Sequence, residues 1–179
     1  MLDMLMEELE EQCFEPQEAY LLEQLEQNPD NVDAMFLLGK LYNHYWESEN
    51  AYKYFSMAAE RDYPDAIYNV GIFYLHPFGF DVVESDPEKA IEYFTKAAEL
   101  GSAEAMCELG ELYKQGAYGL ERNFKKAVEL YQKAAALKSY CAYRKLSSCY
   151  QYGHGVEKDL EKALEYLVTA YSELSIKTA

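Results

Sequence analysis

His44 and His76 are the residues best placed for metal chemistry, because they hold the same place in two successive copies of one repeated segment. Helices carrying them would pack about 8–10 Å apart, and no carboxylate or thiol stands where it would complete a ligand set. His154, between two turn glycines, is read as tolerated there rather than functional. The cysteines at 13, 107, 141 and 149 have neither CxxC nor metal-ligand spacing. Cys141 and Cys149 lie eight residues apart on one predicted helix, too far to bridge each other. Reduced, packed thiols are therefore expected. No P-loop, dinucleotide-binding glycine motif, HExxH or nucleophile elbow occurs. Paired acids are frequent, but on helix faces expected to be solvated. No catalytic residue, cofactor or metal is expected, and the chain is read as a non-enzyme.

What positions these residues is a repeat. Ala-x3-Leu-Gly-x2-Tyr occurs at Ala34–Leu38–Gly39–Tyr42 and at Ala105–Leu109–Gly110–Tyr113. It returns with Val70 for leucine at Ala66–Val70–Gly71–Tyr74, and with Ser147 for glycine at Ala142–Leu146–Ser147–Tyr150. A second signal runs Ala51–Tyr54–Phe55–Ala58–Ala59, Ala90–Tyr93–Phe94–Ala97–Ala98, Ala127–Leu130–Tyr131–Ala134–Ala135 and Ala163–Tyr166–Leu167–Ala170–Tyr171. The spacings place each set on one helix face. From the first alanine of a second helix to the next first helix is always 15 residues: 51 to 66, 90 to 105, 127 to 142, and also 19 to 34. All length variation falls in the turn inside each hairpin. A lone hairpin cannot bury its apolar face, so such units stack on one another. A bundle rich in alanine and tyrosine is the alternative, but a bundle has no need of a fixed phase.

The pattern resembles the Sel-one-like repeat family, relatives of the tetratricopeptide repeats with a longer turn in each hairpin. The resemblance covers residues 34–171, and partly 16–33. It is most specific at Tyr113-x2-Gly116 with Gly119-Leu120, and at Tyr150-x2-Gly153-x-Gly155-Val156-x2-Asp159-x2-Lys162-Ala163. Two departures stand out: no glycine turn between Tyr42 and Ala51, and an apolar turn His76-Pro77-Phe78-Gly79-Phe80. The resemblance implies an all-α, right-handed α-solenoid of stacked antiparallel hairpins. It implies a non-catalytic adaptor or scaffold for protein complexes. Some secreted members staple each hairpin with a regular cysteine pair, a regularity missing here.

The expected organisation is one elongated domain. Acidic capping helices occupy 1–31, broken before Pro16, and four repeats follow at about 32–61, 64–100, 102–137 and 139–174. Asp86, Asn123 and Asp159 are expected to cap second helices. With 50% hydrophobic and 27% charged residues the chain is globular rather than disordered. No signal peptide is evident and no apolar run reaches the roughly 20 residues of a membrane span, so a cytoplasmic location is expected. A non-cleaved secretion signal stays open.

The formal net charge is −16. Residues 1–39 hold eleven acids and no Lys or Arg. Nucleic acid is thereby disfavoured, since its binding needs cations to neutralise phosphates. The acidity favours a basic partner, or serves only to keep a solenoid end solvated. On a wheel starting at each repeat's first alanine, offsets +2, +6, +9 and +10 point away from the buried side. They hold Phe36, Lys40, Asn43 and His44, then Tyr68, Ile72, Leu75 and His76, then Cys107, Glu111, Lys114 and Gln115, then Arg144, Ser148, Gln151 and Tyr152. The apolar members Phe36, Tyr68, Ile72 and Leu75 are read as a concave peptide- or helix-binding face, with Lys40, His44, His76, Arg144 and Tyr152 at its rim. The turn 77–80 or the N-terminal helix could instead cover that patch. Two other readings stand beside it: a protein self-associating through its C-terminal edge as a weak homo-oligomer, and an acidic inhibitor or chaperone of a basic protein.

Overall fold

The computed structural model describes the backbone at 2–75 and 82–177, and side chains at 14–75 and 82–173. His76 and the apolar turn after it lie outside the described residues. Within them the secondary structure is nine α-helices and no strand: α1 (Leu2–Gln27), α2 (Val32–His44), α3 (Ser48–Ala59), α4 (Pro64–Leu75), α5 (Pro87–Glu99), α6 (Ala103–Gln115), α7 (Phe124–Ala136), α8 (Tyr140–Tyr152) and α9 (Leu160–Lys177). They form two compact units, residues 1–85 and 86–179. In the first, α1 packs on α2, α2 on α3 and α3 on α4. In the second the sequence α5 to α9 packs neighbour on neighbour, and α6 also touches α8.

The motif residues build both units in the same way. Asn31, Ser102 and Ser139 cap α2, α6 and α8 by accepting from the amides of Ala34, Ala105 and Ala142, at 3.1, 3.3 and 3.4 Å. Asp86, Asn123 and Asp159 accept from Lys89, Lys126 and Lys162, each at 3.0 Å, at the starts of α5, α7 and α9. Each such bond satisfies an amide that has no partner inside its helix. The motif tyrosine closes the turn through its carbonyl: Tyr42 accepts from Glu47 (2.9 Å), Tyr113 from Asn123 (2.7 Å) and Tyr150 from Asp159 (2.9 Å). Turns of different length therefore end in one hydrogen bond.

The motif glycine seats an aromatic ring. A Cβ at Gly39 would fall 2.5 Å from the Phe55 ring, and one at Gly110 would collide with the ring of Tyr131. Ser147 takes that place in α8, where its hydroxyl donates to the Ala163 carbonyl at 2.7 Å. At the motif position of Phe55 and Tyr131 the last hairpin carries Leu167, which has no ring to accommodate.

One expectation fails at the N-terminus. The predicted break before Pro16 does not occur, and α1 runs unbroken through it. Proline's fixed φ near −65° is itself helical, so the helix forgoes one backbone hydrogen bond and continues. Phe14 anchors α1 by packing edge-on against Tyr42 and Tyr45, with centroids 5.7 and 4.7 Å away. Glu18 accepts a hydrogen bond from Tyr42.

Unit two carries a polar knot inside its helical stack. Glu111 accepts from Lys145 (2.7 Å), Gln115 (3.0 Å), Tyr131 (3.2 Å) and Lys114 (3.3 Å). Burial pushes its carboxyl up, but the Lys145 and Gln115 hydrogen bonds and the two lysine charges outweigh this and hold its pKa at about 2. A carboxylate depressed in the folded state stabilises fully above its unfolded pKa, near 4.5, and loses that contribution as pH falls toward 2. Between about pH 5 and pH 2, wild type is expected to lose about 2 kcal/mol more than Glu111→Gln, allowing for screening. Urea unfolding at a series of pH values measures the difference.

Candidate functional site

The anticipated concave patch is not open in the way the wheel implies. Leu75 is 4% exposed, a core residue of its unit, and Cys107 is equally buried. Cys107 shows the reason: it packs with Ala134 of α7 and Ala142 of α8, because a first helix is covered by the next first helix as well as by its hairpin partner. Offset +2 therefore lies on a contact face. Phe36, at the same offset, is half-buried, with its ring 4.8 Å from Tyr63 and 5.9 Å from Phe55. Tyr68 and Ile72 are also half-buried. Lys40 and His44 are exposed, and Lys40 reaches over the Phe36 ring at 5.9 Å. In the second unit Arg144 is exposed, 5.7 Å over Tyr140, and Tyr152 stands exposed 5.8 Å from His154. His154 does more than fit its turn: it stacks on Phe124 at 4.8 Å.

The open apolar surface lies one step around the helix. Leu37, at offset +3, is 47% exposed, and Tyr20 of α1 is 61% exposed. With Leu21, Leu41 and Tyr45 they line a groove of about 540 Å³ between α1 and α2, edged by Gln17, Lys40 and His44. Lys40 and His44 are thus the two expected site residues that the groove brings together. Beyond Tyr45 the chain turns through Trp46, which is exposed and left-handed at φ 64°. A wheel for one hairpin does not reveal Tyr20 and Leu37, because it leaves out the helix preceding that hairpin. Their signal was present in the 15-residue phase from Ala19 to Ala34, which already pairs α1 with α2.

A second apolar surface runs along α9. Leu160, Leu164, Val168 and Tyr171 are all exposed, at helical spacing. Val128 of α7 holds the place that Leu164 holds in α9, one past the motif alanine. It is buried with Leu146 and Cys149 of α8. Leu164 therefore stands on the face equivalent to the one that α7 gives to α8.

The Sel1 repeat family model matches at residues 32–63, 64–102, 103–139 and 142–173. The chain belongs to the Sel1 repeat family. Sel1 repeats generally mediate protein–protein interaction. This Sel1 repeat chain is similar to a Sel1 repeat protein from Oxalobacter formigenes, with a TM-score of 0.71 and 28% identity over 82% of this chain and 60% of that one. It is also similar to a protective antigen of uropathogenic Escherichia coli displaying an SLR fold, with a TM-score of 0.68 and 27% identity over 85% and 33% of the two chains. Both likenesses place the Sel1 repeats here in the all-α solenoid class. The ERAD-associated E3 ubiquitin-protein ligase component HRD3A of Arabidopsis thaliana is 35% identical over 79 residues. Those residues are 44% of this chain and 11% of the length of that relative. Among the described residues no helix is long and apolar enough to cross a membrane, and no group of three or more His, Cys, Asp or Glu side chains could hold a metal ion.

Proposed function

We propose that this Sel1 repeat protein is a non-catalytic adaptor that receives a basic amphipathic segment of a partner protein in the groove between α1 and α2. The observation that carries the reading is the pairing of that apolar groove with a chain whose first 39 residues hold eleven acids and no base. A helix laid in a groove fixes its position through apolar anchors. Opposite charge raises its association rate and disfavours acidic competitors. The likeness over 79 residues to a component of an E3 ubiquitin-protein ligase supports a role within a protein assembly. Lys40 and His44 edge the groove on α2, so the bases of the segment are expected on its α1 side, away from Lys40. A Leu/Lys peptide with its leucines at helical spacing, titrated against Trp46 fluorescence, tests the reading; Trp46 is the sole tryptophan and follows Tyr45 of the groove. Saturable binding is expected, weakening steeply with salt. Equal affinity for a Ser/Lys peptide of the same charge would overturn it.

The α9 stripe favours a second reading, self-association through that face. Sedimentation velocity is expected to show a concentration-dependent rise in mass that Leu164→Lys with Val168→Lys removes. A constant monomer mass over the range would dismiss it.

A further inference from the structure

Two thiols distant in sequence meet between α6 and α8. Cys107 is buried in the cluster of Met106, Ala134 and Ala142, whereas Cys141 is exposed at the second residue of α8. Cys107 packs against Ala142, the chain neighbour of Cys141, and its sulfur lies 3.9 Å from the hydroxyl of the capping Ser139. One turn further along the same two helices Lys145 reaches Glu111 at 2.7 Å, so the two thiols lie side by side across α6 and α8. The first turn of α8 offers backbone amides without helical partners, and Arg144 and Lys145 lie one turn further on, so negative charge at Cys141 is favoured. Glu108 opposes it. The third described cysteine, Cys149, is buried in a different cluster and faces neither thiol.

We propose that Cys107 and Cys141 are a redox modification site, a dithiol that small disulfides convert to a disulfide bond between α6 and α8. The thiolate of Cys141 attacks one sulfur of a low-molecular-weight disulfide such as glutathione disulfide. The small S–S bond breaks, a mixed disulfide forms on Cys141, and one small thiolate leaves and takes up a proton. Cys107 then loses its proton, attacks the Cys141 sulfur and expels the second small thiolate. Two protein thiols are oxidised and one small disulfide is reduced to two thiols.

The neighbouring Cys107 thiol lowers the Cys141 thiol to about 7 with help from Lys145 and Arg144, against partial burial and Glu108. In turn, the neighbouring Cys141 and its own burial push Cys107 up. Once Cys141 is capped, the thiolate that held up the Cys107 proton is gone, so the resolving step follows the first. This bond differs from a staple inside one hairpin. It joins first helices of successive repeats and closes a loop around α7.

The test uses the full chain, reduced and then equilibrated with glutathione and glutathione disulfide, with mass spectrometry of the intact protein and its peptides. Wild type is expected to lose the mass of two hydrogens and yield a Cys107–Cys141 cross-linked peptide, with a melting midpoint higher by about 10 °C. Cys107→Ser is expected to stop at one glutathione on Cys141, and Cys107→Ala checks this should serine disturb the core. Cys141→Ser is expected to leave Cys107 unmodified. A wild-type chain that retains a stable glutathione on Cys141, forms no cross-link, or pairs Cys13 or Cys149 first would overturn the proposal.

Discussion

Replacing Tyr131 by alanine is expected to destabilise the unit of residues 86–179 by about 4 kcal/mol and to lower its melting midpoint by about 15 °C. The ring is fully buried, packed with Ala127, Val128, Leu146 and Cys149. Its hydroxyl donates to Glu111 at 3.2 Å. Alanine leaves a ring-sized cavity that α6, α7 and α8 enclose from three sides, so little of the loss can be recovered by collapse. Tyr131→Phe keeps the ring, and Glu111 keeps both lysines, so that variant is expected to cost about 1 kcal/mol. The packing claim has a sharper check in a double-mutant cycle with Gly110. Gly110→Ala alone drives a methyl into the Tyr131 ring, whereas in the Tyr131→Ala background the methyl enters free space. The two changes are expected to couple by at least about 1 kcal/mol, measured by thermal or urea unfolding. Strict additivity would show that the ring does not rest on the glycine.

That glycine–ring pairing is also the part of the fold most legible from sequence. Gly39 faces Phe55, Gly110 faces Tyr131, and where Ser147 replaces glycine the ring gives way to Leu167. The rule is local to one hairpin, so a single unit's spacing reveals it. The same holds for the caps, which use residues three apart. What sequence reading misplaced depends on neighbours beyond the hairpin. Leu75 and Cys107 fall on the free side of a two-helix wheel and are buried; for Cys107 the reason is that α6 has a further neighbour in α8. Leu37 falls near the buried side and is exposed, because α1 and α2 leave a groove between them there. The Cys107–Cys141 contact was invisible for the same reason: it joins equivalent helices of two repeats, and no spacing rule inside a repeat records it.

Leu37→Glu is expected to weaken binding of the Leu/Lys peptide about 100-fold while leaving the fold unchanged. Leu37 is already 47% exposed in the free protein, so a carboxylate there stays hydrated and costs at most about 0.5 kcal/mol of stability. In the complex the position is covered. Losing the apolar contact forfeits about 1.5 kcal/mol or more, and drying an unpaired carboxylate adds about as much again. Together about 3 kcal/mol corresponds to that factor of 100. The substitution also separates groove binding from general attraction. It takes the formal net charge from −16 to −17, so a cationic peptide held only by charge would bind Leu37→Glu slightly more tightly. Leu37→Ala removes contact without adding charge and is expected to cost about tenfold. Trp46 fluorescence titrations of the three proteins therefore rank wild type, Leu37→Ala and Leu37→Glu in falling affinity if the groove is the site, and in nearly the reverse order if acidity alone attracts the peptide.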